Sequence, residues 1–321
     1  MRFPFFLFPL FALSLSASEL LERTQVMMGT FATVSLPKEK GAQLQKSFEI
    51  LRAVEHSLSS YDPRADIYRL NHDRQVRLSP YAYEALKLSK KYYEVSGGYF
   101  DITVGSITKA LYRFGEEERA VQKKELQSAK IDFNGVHFNE REAHLDEGVT
   151  VDLGGMGKGF GIDKAAAYLQ EQNITEGRVA LSGDIRCLDT CEMALQNPFG
   201  EGTIASFSTK YPNTALSTSG NYRRYVGDKT NNHLIDPKIK RPEKTFASIT
   251  LISRGPNSDI DAYATAAAVM PREKAIAFLE QRGVGYILIT TAGERIVSKN
   301  IEHYATDLEF AATPKSSCKT K

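Results

Sequence analysis

The stretch that decides the fold is Val151-Asp-Leu-Gly-Gly-Met-Gly-Lys-Gly-Phe-Gly-Ile-Asp163, which places five glycines and one lysine within thirteen residues. A P-loop requires Ser or Thr after its lysine, but Gly159 follows Lys158 here. The dinucleotide-binding pattern G-x-G-x-x-G does not fit either, because Gly155 and Gly157 are followed by Phe160 where the last glycine should stand. The stretch therefore predicts a loop for a phosphate-bearing ligand that belongs to neither common class.

Both flanks of this stretch have regular periodicity. Apolar residues alternate over 149–153 and predict a strand, whereas apolar residues at helical spacing over 162–169 predict a helix. The glycines are therefore expected to join a strand to a helix, at a place where free backbone N–H groups face outward and favour an anion.

Helices and strands are predicted along the rest of the chain without a regular βαβ rhythm. Ser79 before Pro80 marks the start of one helix, which should end near Gly97. The other predicted elements are helices over 44–58, 261–270 and 272–282, with Gly283 as the cap of the last, a hairpin over 222–235 and a strand over 286–290. This irregular order predicts an α+β fold with mixed helices and a mostly antiparallel sheet.

The composition is that of an ordinary globular protein. The 321 residues are 42% hydrophobic and 25% charged, and the formal net charge is +2. Because basic and acidic residues nearly balance, a polyanionic partner is not favoured, and no nucleic acid is expected. The length suits one large domain or two closely packed ones.

The first eighteen residues have the layout of a secretory signal peptide. Arg2 precedes an apolar run from Phe5 to Leu15, and small residues at 16–18 stand before Glu19. A membrane anchor is the alternative, but the run is roughly half of the ~20 residues that a span needs. We therefore expect a signal peptide over 1–18, a functional domain over 19–312 and a disordered basic tail over 313–321. After cleavage the protein should be periplasmic or otherwise extracytoplasmic.

The three cysteines do not form a disulfide framework. Cys187 and Cys191 are close enough in sequence to pair in an oxidising compartment, but two buried thiols fit the sequence equally well. No histidine neighbours them at zinc spacing, so a metal role is not expected.

Two groups of residues are candidates for chemistry. Asp261 and Thr265 lie four apart on a predicted helix and present hard oxygen ligands of the kind that Mg²⁺ accepts, although such pairs are also common as plain structural features. His233 lies at the end of a predicted strand, where a neutral imidazole can act as a general base or serve only as a hydrogen-bonded structural residue.

The motifs occur in an order that resembles the ApbE family, the FAD:protein FMN transferases. The motifs that carry the resemblance are Met28-Gly-Thr30, Leu58-Ser-Ser-Tyr-Asp62, Asp66-Ile-Tyr-Arg-Leu-Asn71, Gly98-Tyr-Phe-Asp-Ile-Thr-Val-Gly105, Val151 to Gly159, Ser182-Gly-Asp184, Thr218-Ser-Gly220, His233-Leu-Ile-Asp-Pro237 and Asp261-Ala-Tyr-Ala-Thr265. Together they span about 240 residues of the chain.

The resemblance implies an ApbE-like (T-fold-like) architecture and an enzyme that uses Mg²⁺ to cleave FAD. It would attach FMN through a phosphoester to a Thr or Ser of an acceptor flavoprotein, an extracytoplasmic redox subunit, and release AMP. His233 would be the base, and the Asp261 carboxylate, the Thr265 hydroxyl and the Gly157 carbonyl would hold the metal. The residues that would contact FAD are Met28, Tyr61, Asp101, Asp152, Gly155, Lys158, Ser182, Gly183, Asp184, Ser219, Gly220 and Asp236.

The sequence departs from the family pattern at three positions. The family usually has Ala where Gly157 stands, often has Gly in place of Ser182, and commonly has Gly near Lys240. Two other functions remain open: a Mg²⁺-dependent FAD pyrophosphatase that gives FMN and AMP, and an exported flavin-binding protein without chemistry.

Overall fold

The computed structural model describes residues 19–221, 224–228 and 231–311. The signal peptide predicted over 1–18 and the tail predicted over 313–321 lie outside the described residues. In the part of the chain that is described, no helix has the length and apolar character that crossing a bilayer requires.

Helices and strands intermix along the described chain. The helices are α1 Gly41–Leu58, α2 Asp66–Asp73, α3 Pro80–Val95, α4 Gly105–Thr108, α5 Lys123–Ser128, α6 Gly157–Glu171, α7 Asn257–Ala268 and α8 Arg272–Arg282. The strands are β1 Leu20–Met27, β2 Thr30–Pro37, β3 Gln75–Arg77, β4 Val136–Phe138, β5 Glu142–Leu145, β6 Arg178–Leu181, β7 Asp184–Cys187, β8 Glu192–Gln196, β9 Thr203–Thr209, β10 Thr214–Gly220, β11 Ile235–Asp236, β12 Arg241–Pro242, β13 Phe246–Ser253, β14 Gly285–Thr290, β15 Arg295–Val297 and β16 Ala305–Phe310.

The main sheet has eight strands in the order β1-β2-β6-β7-β10-β13-β14-β15, and every neighbouring pair is antiparallel. Two smaller sheets have the orders β16-β9-β8 and β3-β5-β4, and β11 pairs with β12. The predicted α+β class with a mostly antiparallel sheet is confirmed.

The main sheet is covered on both faces, which explains why β13 is almost entirely buried. On one face α1 packs over β2, α6 over β7 and α7 over β10, and the neighbouring helices also contact each other. On the other face the sheet formed by β8, β9 and β16 contributes Phe207 and Ile204 to a core with Leu216 and Ile252. Cys187, at the end of β7, forms a disulfide with Cys191 just before β8.

Most of the predicted helices are confirmed. α3 begins at Pro80 with the Ser79 hydroxyl accepting from the Ala82 N–H, and α8 has the predicted bounds with Gly283 in the left-handed conformation. The helix predicted from 261 begins four residues earlier, at Asn257. Its cap comes from another helix, because Asp163 of α6 accepts from the N–H groups of Asn257 (2.7 Å) and Ser258 (2.9 Å).

The strand predicted over 149–153 was wrong. Val149, Val151 and Leu153 are buried, but the segment pairs with no strand in the described part of the chain, because side chains take several of its backbone groups instead. Asn71 pairs with both backbone groups of Val151, at 2.8 and 2.9 Å, as a neighbouring strand would. Arg74 donates to the Val149 carbonyl, and Ser106 accepts from the Thr150 N–H.

The hairpin predicted over 222–235 is present only as an isolated bridge in the described residues; 222–223 and 229–230 lie outside them. Tyr225 pairs with Asn232, whereas Ile235 pairs with Pro242 instead. Between these last two residues Lys240 has φ 53°, so a non-glycine residue occupies the left-handed conformation where the family commonly has glycine.

Candidate active site

The site forms where several turns meet at one end of the main sheet. The β1–β2 turn places Met28 there, with φ 52° and its N–H donated to Glu55. The β6–β7 turn, which contains Ser182 and Gly183, lies next to it, because the backbone N–H of Ser182 donates to the Phe31 carbonyl at the start of β2. β10 ends beside that turn, because the Thr218 N–H donates to the Gly183 carbonyl. The antiparallel register therefore brings distant motifs together.

These turns and the start of α6 surround a cavity of about 1440 Å³. Almost all the predicted site residues line it: Met28, Tyr61, Asp101, Asp152, Gly155, Gly157, Lys158, Ser182, Gly183, Ser219, Gly220, His233, Asp261 and Thr265. Asp184 lies behind the wall and reaches the site through Lys158. Asp236 does not line the cavity; its carboxylate accepts from the Lys238 N–H in a turn.

The glycines of the loop allow close approach rather than unusual backbone angles, since none of those in 151–163 has positive φ. A Cβ on Gly159 would lie 2.5 Å from the Asn257 carbonyl oxygen, so this glycine lets α6 touch the start of α7. A Cβ on Gly155 would lie 2.9 Å from Thr265 Cγ2. The loop is therefore shaped first by the contact between the two helices that carry the candidate chemistry.

The N-terminus of α6 faces a carboxylate of the protein itself. The Gly159 N–H donates to Asp261 Oδ2 at 3.0 Å, and the helix dipole adds a favourable field there. Thr265, one turn further along α7, donates its hydroxyl to the Gly155 carbonyl at 3.1 Å. The anion expected at this helix start is thus provided in part by α7.

Lys158 is shared between two buried carboxylates. Its Nζ lies 3.0 Å from Asp184 Oδ2 and 3.3 Å from both oxygens of Asp261, while the two acids are 1% and 2% exposed. Burial raises the pKa of Asp261, and the charge of Asp184 raises it further. Burial alone would lower the pKa of Lys158, but the two carboxylates raise it on balance.

This cluster fits a further cation. Two buried carboxylates face one ammonium group, and Asp184 Oδ2 accepts no hydrogen bond of normal geometry from the described residues. Asp261, the Thr265 hydroxyl and nearby loop carbonyls are hard oxygen ligands, which suits Mg²⁺. The carbonyl that the Thr265 hydroxyl contacts is that of Gly155; Gly157 lines the cavity as the first residue of α6.

His233 has the form that a general base needs. It is half-buried, and burial lowers its pKa to about 4, although the Arg224 carbonyl opposes the shift. Nδ1 lies 3.2 Å from that carbonyl oxygen, which can only accept, so Nδ1 carries the proton. The neutral ring therefore keeps a free electron pair on Nε2.

A cationic group that the sequence motifs do not predict lies beside Tyr61. Lys109 and Arg224 both donate to the Tyr61 hydroxyl, which donates to the Phe114 carbonyl at 2.8 Å. Lys109 Nζ also lies 3.8 Å from Asp152 Oδ2. Burial raises the pKa of Asp152, but Lys109 and the Thr108 hydroxyl lower it on balance. No local pattern marks Lys109 or Arg224, because long-range packing brings them here.

The chain is similar to known proteins over most of its length. The model of the ApbE family matches residues 28–288. The chain is 29% identical over 280 residues to the FAD:protein FMN transferase of Haemophilus influenzae, covering 78% of this chain and 79% of that protein. It is 26% identical over 294 residues to the enzyme of that name from Escherichia coli K12, covering 83% of each.

Two solved structures share the fold, both at 23% identity and covering 90% of this chain and all of theirs. They are the ApbE protein of Thermotoga maritima, with a TM-score of 0.82, and the flavin transferase ApbE of Vibrio cholerae, with a TM-score of 0.78.

Proposed function

The chain belongs to the ApbE family, and we propose that it is a FAD:protein FMN transferase, an activity that several of its relatives carry as their name. The observation that carries the proposal is the single cavity that joins His233 to the pair formed by Asp261 and Thr265. A site that only bound flavin would not need a neutral imidazole beside a buried carboxylate and a hydroxyl.

In the proposed step, the hydroxyl oxygen of an acceptor Thr or Ser bonds to the phosphorus of the FMN half of FAD. The bond between that phosphorus and the bridging oxygen breaks, and AMP leaves with the bridging oxygen. His233 takes the hydroxyl proton on Nε2, which balances the step. Because the protein forms no covalent bond itself, its residues contribute mainly position and charge.

Charge balance depends on the cluster around Lys158. Asp261, Thr265 and the Gly157 carbonyl would hold Mg²⁺, which when bound neutralises charge on the diphosphate oxygens. Lys158 adds a fixed cation at the same place, and Asp184 orients its ammonium group through a 3.0 Å contact. Lys109 and Arg224, which also line the cavity, present two more cations around Tyr61.

We also propose that the protein acts outside the cytoplasm, on an extracytoplasmic redox subunit. The layout of residues 1–18 supports export. The disulfide between Cys187 and Cys191 supports it independently, because such bonds persist mainly in oxidising compartments.

The test combines one mixture with two readouts. The purified enzyme is incubated with FAD and Mg²⁺ and a protein extract from cells that lack this chain; AMP is measured by chromatography and covalently bound flavin by fluorescence of denatured gel bands. We expect AMP and a fluorescent band to appear together. AMP without labelled protein would identify a FAD pyrophosphatase, and neither product would identify a flavin-binding protein without chemistry.

The role of Asp261 is tested in the same mixture. Asp261→Asn keeps the shape but removes the charge that holds Mg²⁺, so both products should fall by about 10²-fold or more. Asp146→Asn is the matched control, because this carboxylate is 46% exposed and lies outside the cavity. Equal rates for the two variants at limiting Mg²⁺ would contradict the metal assignment.

A further inference from the structure

β8 is an edge strand whose free side opens into the active-site cavity. It ends the sheet β16-β9-β8, so within the described residues no strand pairs with its other side. Four consecutive residues, Met193 to Gln196, line the cavity. Because successive side chains of a strand point to opposite faces, a cavity that meets four in a row must run along the edge of the strand rather than over a face.

The register shows which backbone groups of β8 face away from β9. The Thr209 N–H donates to the Cys191 carbonyl, so Cys191 and every second residue after it face β9. The N–H and C=O groups of Glu192 and Ala194, between them, therefore face away from β9. A register shift after Leu195 ends this regular edge. Two outward positions are thus available for pairing, and the second of them, Ala194, lines the cavity.

We propose that this edge binds the acceptor protein, by taking an extended segment that carries the modified Thr or Ser as an added antiparallel strand. The inference rests on the proposed function, since a transferase needs a second substrate beside FAD. Main-chain donors and acceptors in a row recognise a polypeptide backbone rather than a small molecule. The added strand would lie about 4.7–4.9 Å from β8.

Three features favour an acceptor segment as the occupant. The edge lines the same cavity as His233, so a paired segment would place its hydroxyl in the cavity that holds the reacting groups. The cavity of about 1440 Å³ is larger than the roughly 300–1000 Å³ typical of a site for one small ligand. The edge also lacks the lysine or proline that usually blocks unwanted pairing, since β8 reads Glu-Met-Ala-Leu-Gln.

The test changes one backbone group of the edge. In Ala194→Pro the outward N–H is lost and the ring projects where the added strand would lie, while the bonds to β9 do not use this N–H. Ala194→Val is the matched control, because it keeps the N–H. Both variants should fold and bind FAD in Mg²⁺ with wild-type affinity, measured by flavin fluorescence.

FMN transfer is then measured with the unmodified form of the protein that the fluorescent band identifies, and with a synthetic peptide of about twelve residues around its acceptor residue. Ala194→Pro should lower the transfer efficiency with either acceptor by at least about tenfold, and Ala194→Val should not. The wild-type enzyme should discriminate by a similar factor against a peptide methylated at alternate amide nitrogens.

Three other outcomes overturn the inference, and a folding failure of Ala194→Pro is covered by the peptide experiment. If Ala194→Pro transfers FMN as well as the wild type does, acceptor binding at the edge is refuted while the transferase function stands. The same holds if the wild type uses the methylated peptide as well as the unmethylated one. If Ala194→Pro does not fold, the methylated peptide with the wild-type enzyme decides alone. If the wild type is a dimer, and Ala194→Pro abolishes the dimer but leaves transfer unchanged, the edge binds a second copy of the chain instead. No labelling of any protein by the wild type refutes the transferase and the edge together.

Discussion

At the scale of single residues, the environment decides the protonation state of His233. Burial stabilises the neutral ring, and the Arg224 carbonyl fixes the proton on Nδ1. A lowered pKa means that the base form persists at acidic pH, because the ring binds a proton only below that pKa. With the pKa at about 4, His233 is ready to accept a proton throughout the physiological range.

His233→Ala should retain FAD binding but lower FMN transfer by about 10²–10⁴-fold, the usual contribution of a positioned base. With Mg²⁺ in excess to keep Asp261 ionised, the wild-type rate should stay level from about pH 8 down to pH 5 and fall below pH 4, as the imidazole becomes protonated. FAD titration and single-turnover transfer on the same folded protein check both expectations. A joint loss of binding and transfer would instead show a structural role for His233.

Most of the site residues predicted from the sequence line the cavity, because short motifs kept in order are local signals. Asp184 and Asp236 do not line the cavity. Asp184 forms an ion pair with Lys158, and Asp236 accepts a hydrogen bond within a turn. Lys109 and Arg224 could not be predicted, because they reach Tyr61 across separations of 48 and 163 residues. Local sequence patterns do not predict contacts between residues so far apart in the chain.

At the scale of elements, predictions succeeded where the signal lies within the element. α8 carries its own periodicity and its terminal Gly283, and its bounds were predicted. α7 takes its cap from Asp163, 94 residues before Asn257, so its start was missed. Alternation over 149–153 correctly indicated burial but not pairing, since periodicity cannot reveal whether a strand or a side chain accepts the backbone bonds.

The contact between α6 and α7 gives an element-scale prediction. Gly159→Ala should lower the free energy of unfolding by about 1–3 kcal/mol, because its Cβ meets the rigid backbone of Asn257. FMN transfer should fall with it, since the shift separates Asp261 from Lys158. Denaturant unfolding and transfer assays measure the two effects.

Gly157→Ala is the stability control for that prediction. Its Cβ would have no neighbour nearer than 3.9 Å, and Ala is favoured over Gly in a helix by about 1 kcal/mol. Unfolding free energy should therefore be unchanged or raised. Equal destabilisation by the two substitutions would show that α6 tolerates no side chain at its start for some reason other than its contact with α7.

At the scale of the whole molecule, the Cys187–Cys191 disulfide ties the main sheet to the sheet that contains β8. Reduction should lower the free energy of unfolding by about 2 kcal/mol, a small value because the closed loop is short. The double variant Cys187→Ser/Cys191→Ser should show the same loss and no response to reductant. Denaturant titrations with and without reductant measure both, and a wild type indifferent to reductant would contradict the pairing.

The side chains that hold residues 149–152 also determine where the chain tolerates mutation. In an ordinary strand the backbone ladder survives most substitutions on its neighbour, so sequence there is free to drift. Here Asn71, Arg74 and Ser106 supply bonds that a neighbouring strand would supply with any sequence. None of the three lines the cavity. Selection should nevertheless restrict them as tightly as the residues of the active site, because each holds in place the segment that leads into the glycine loop.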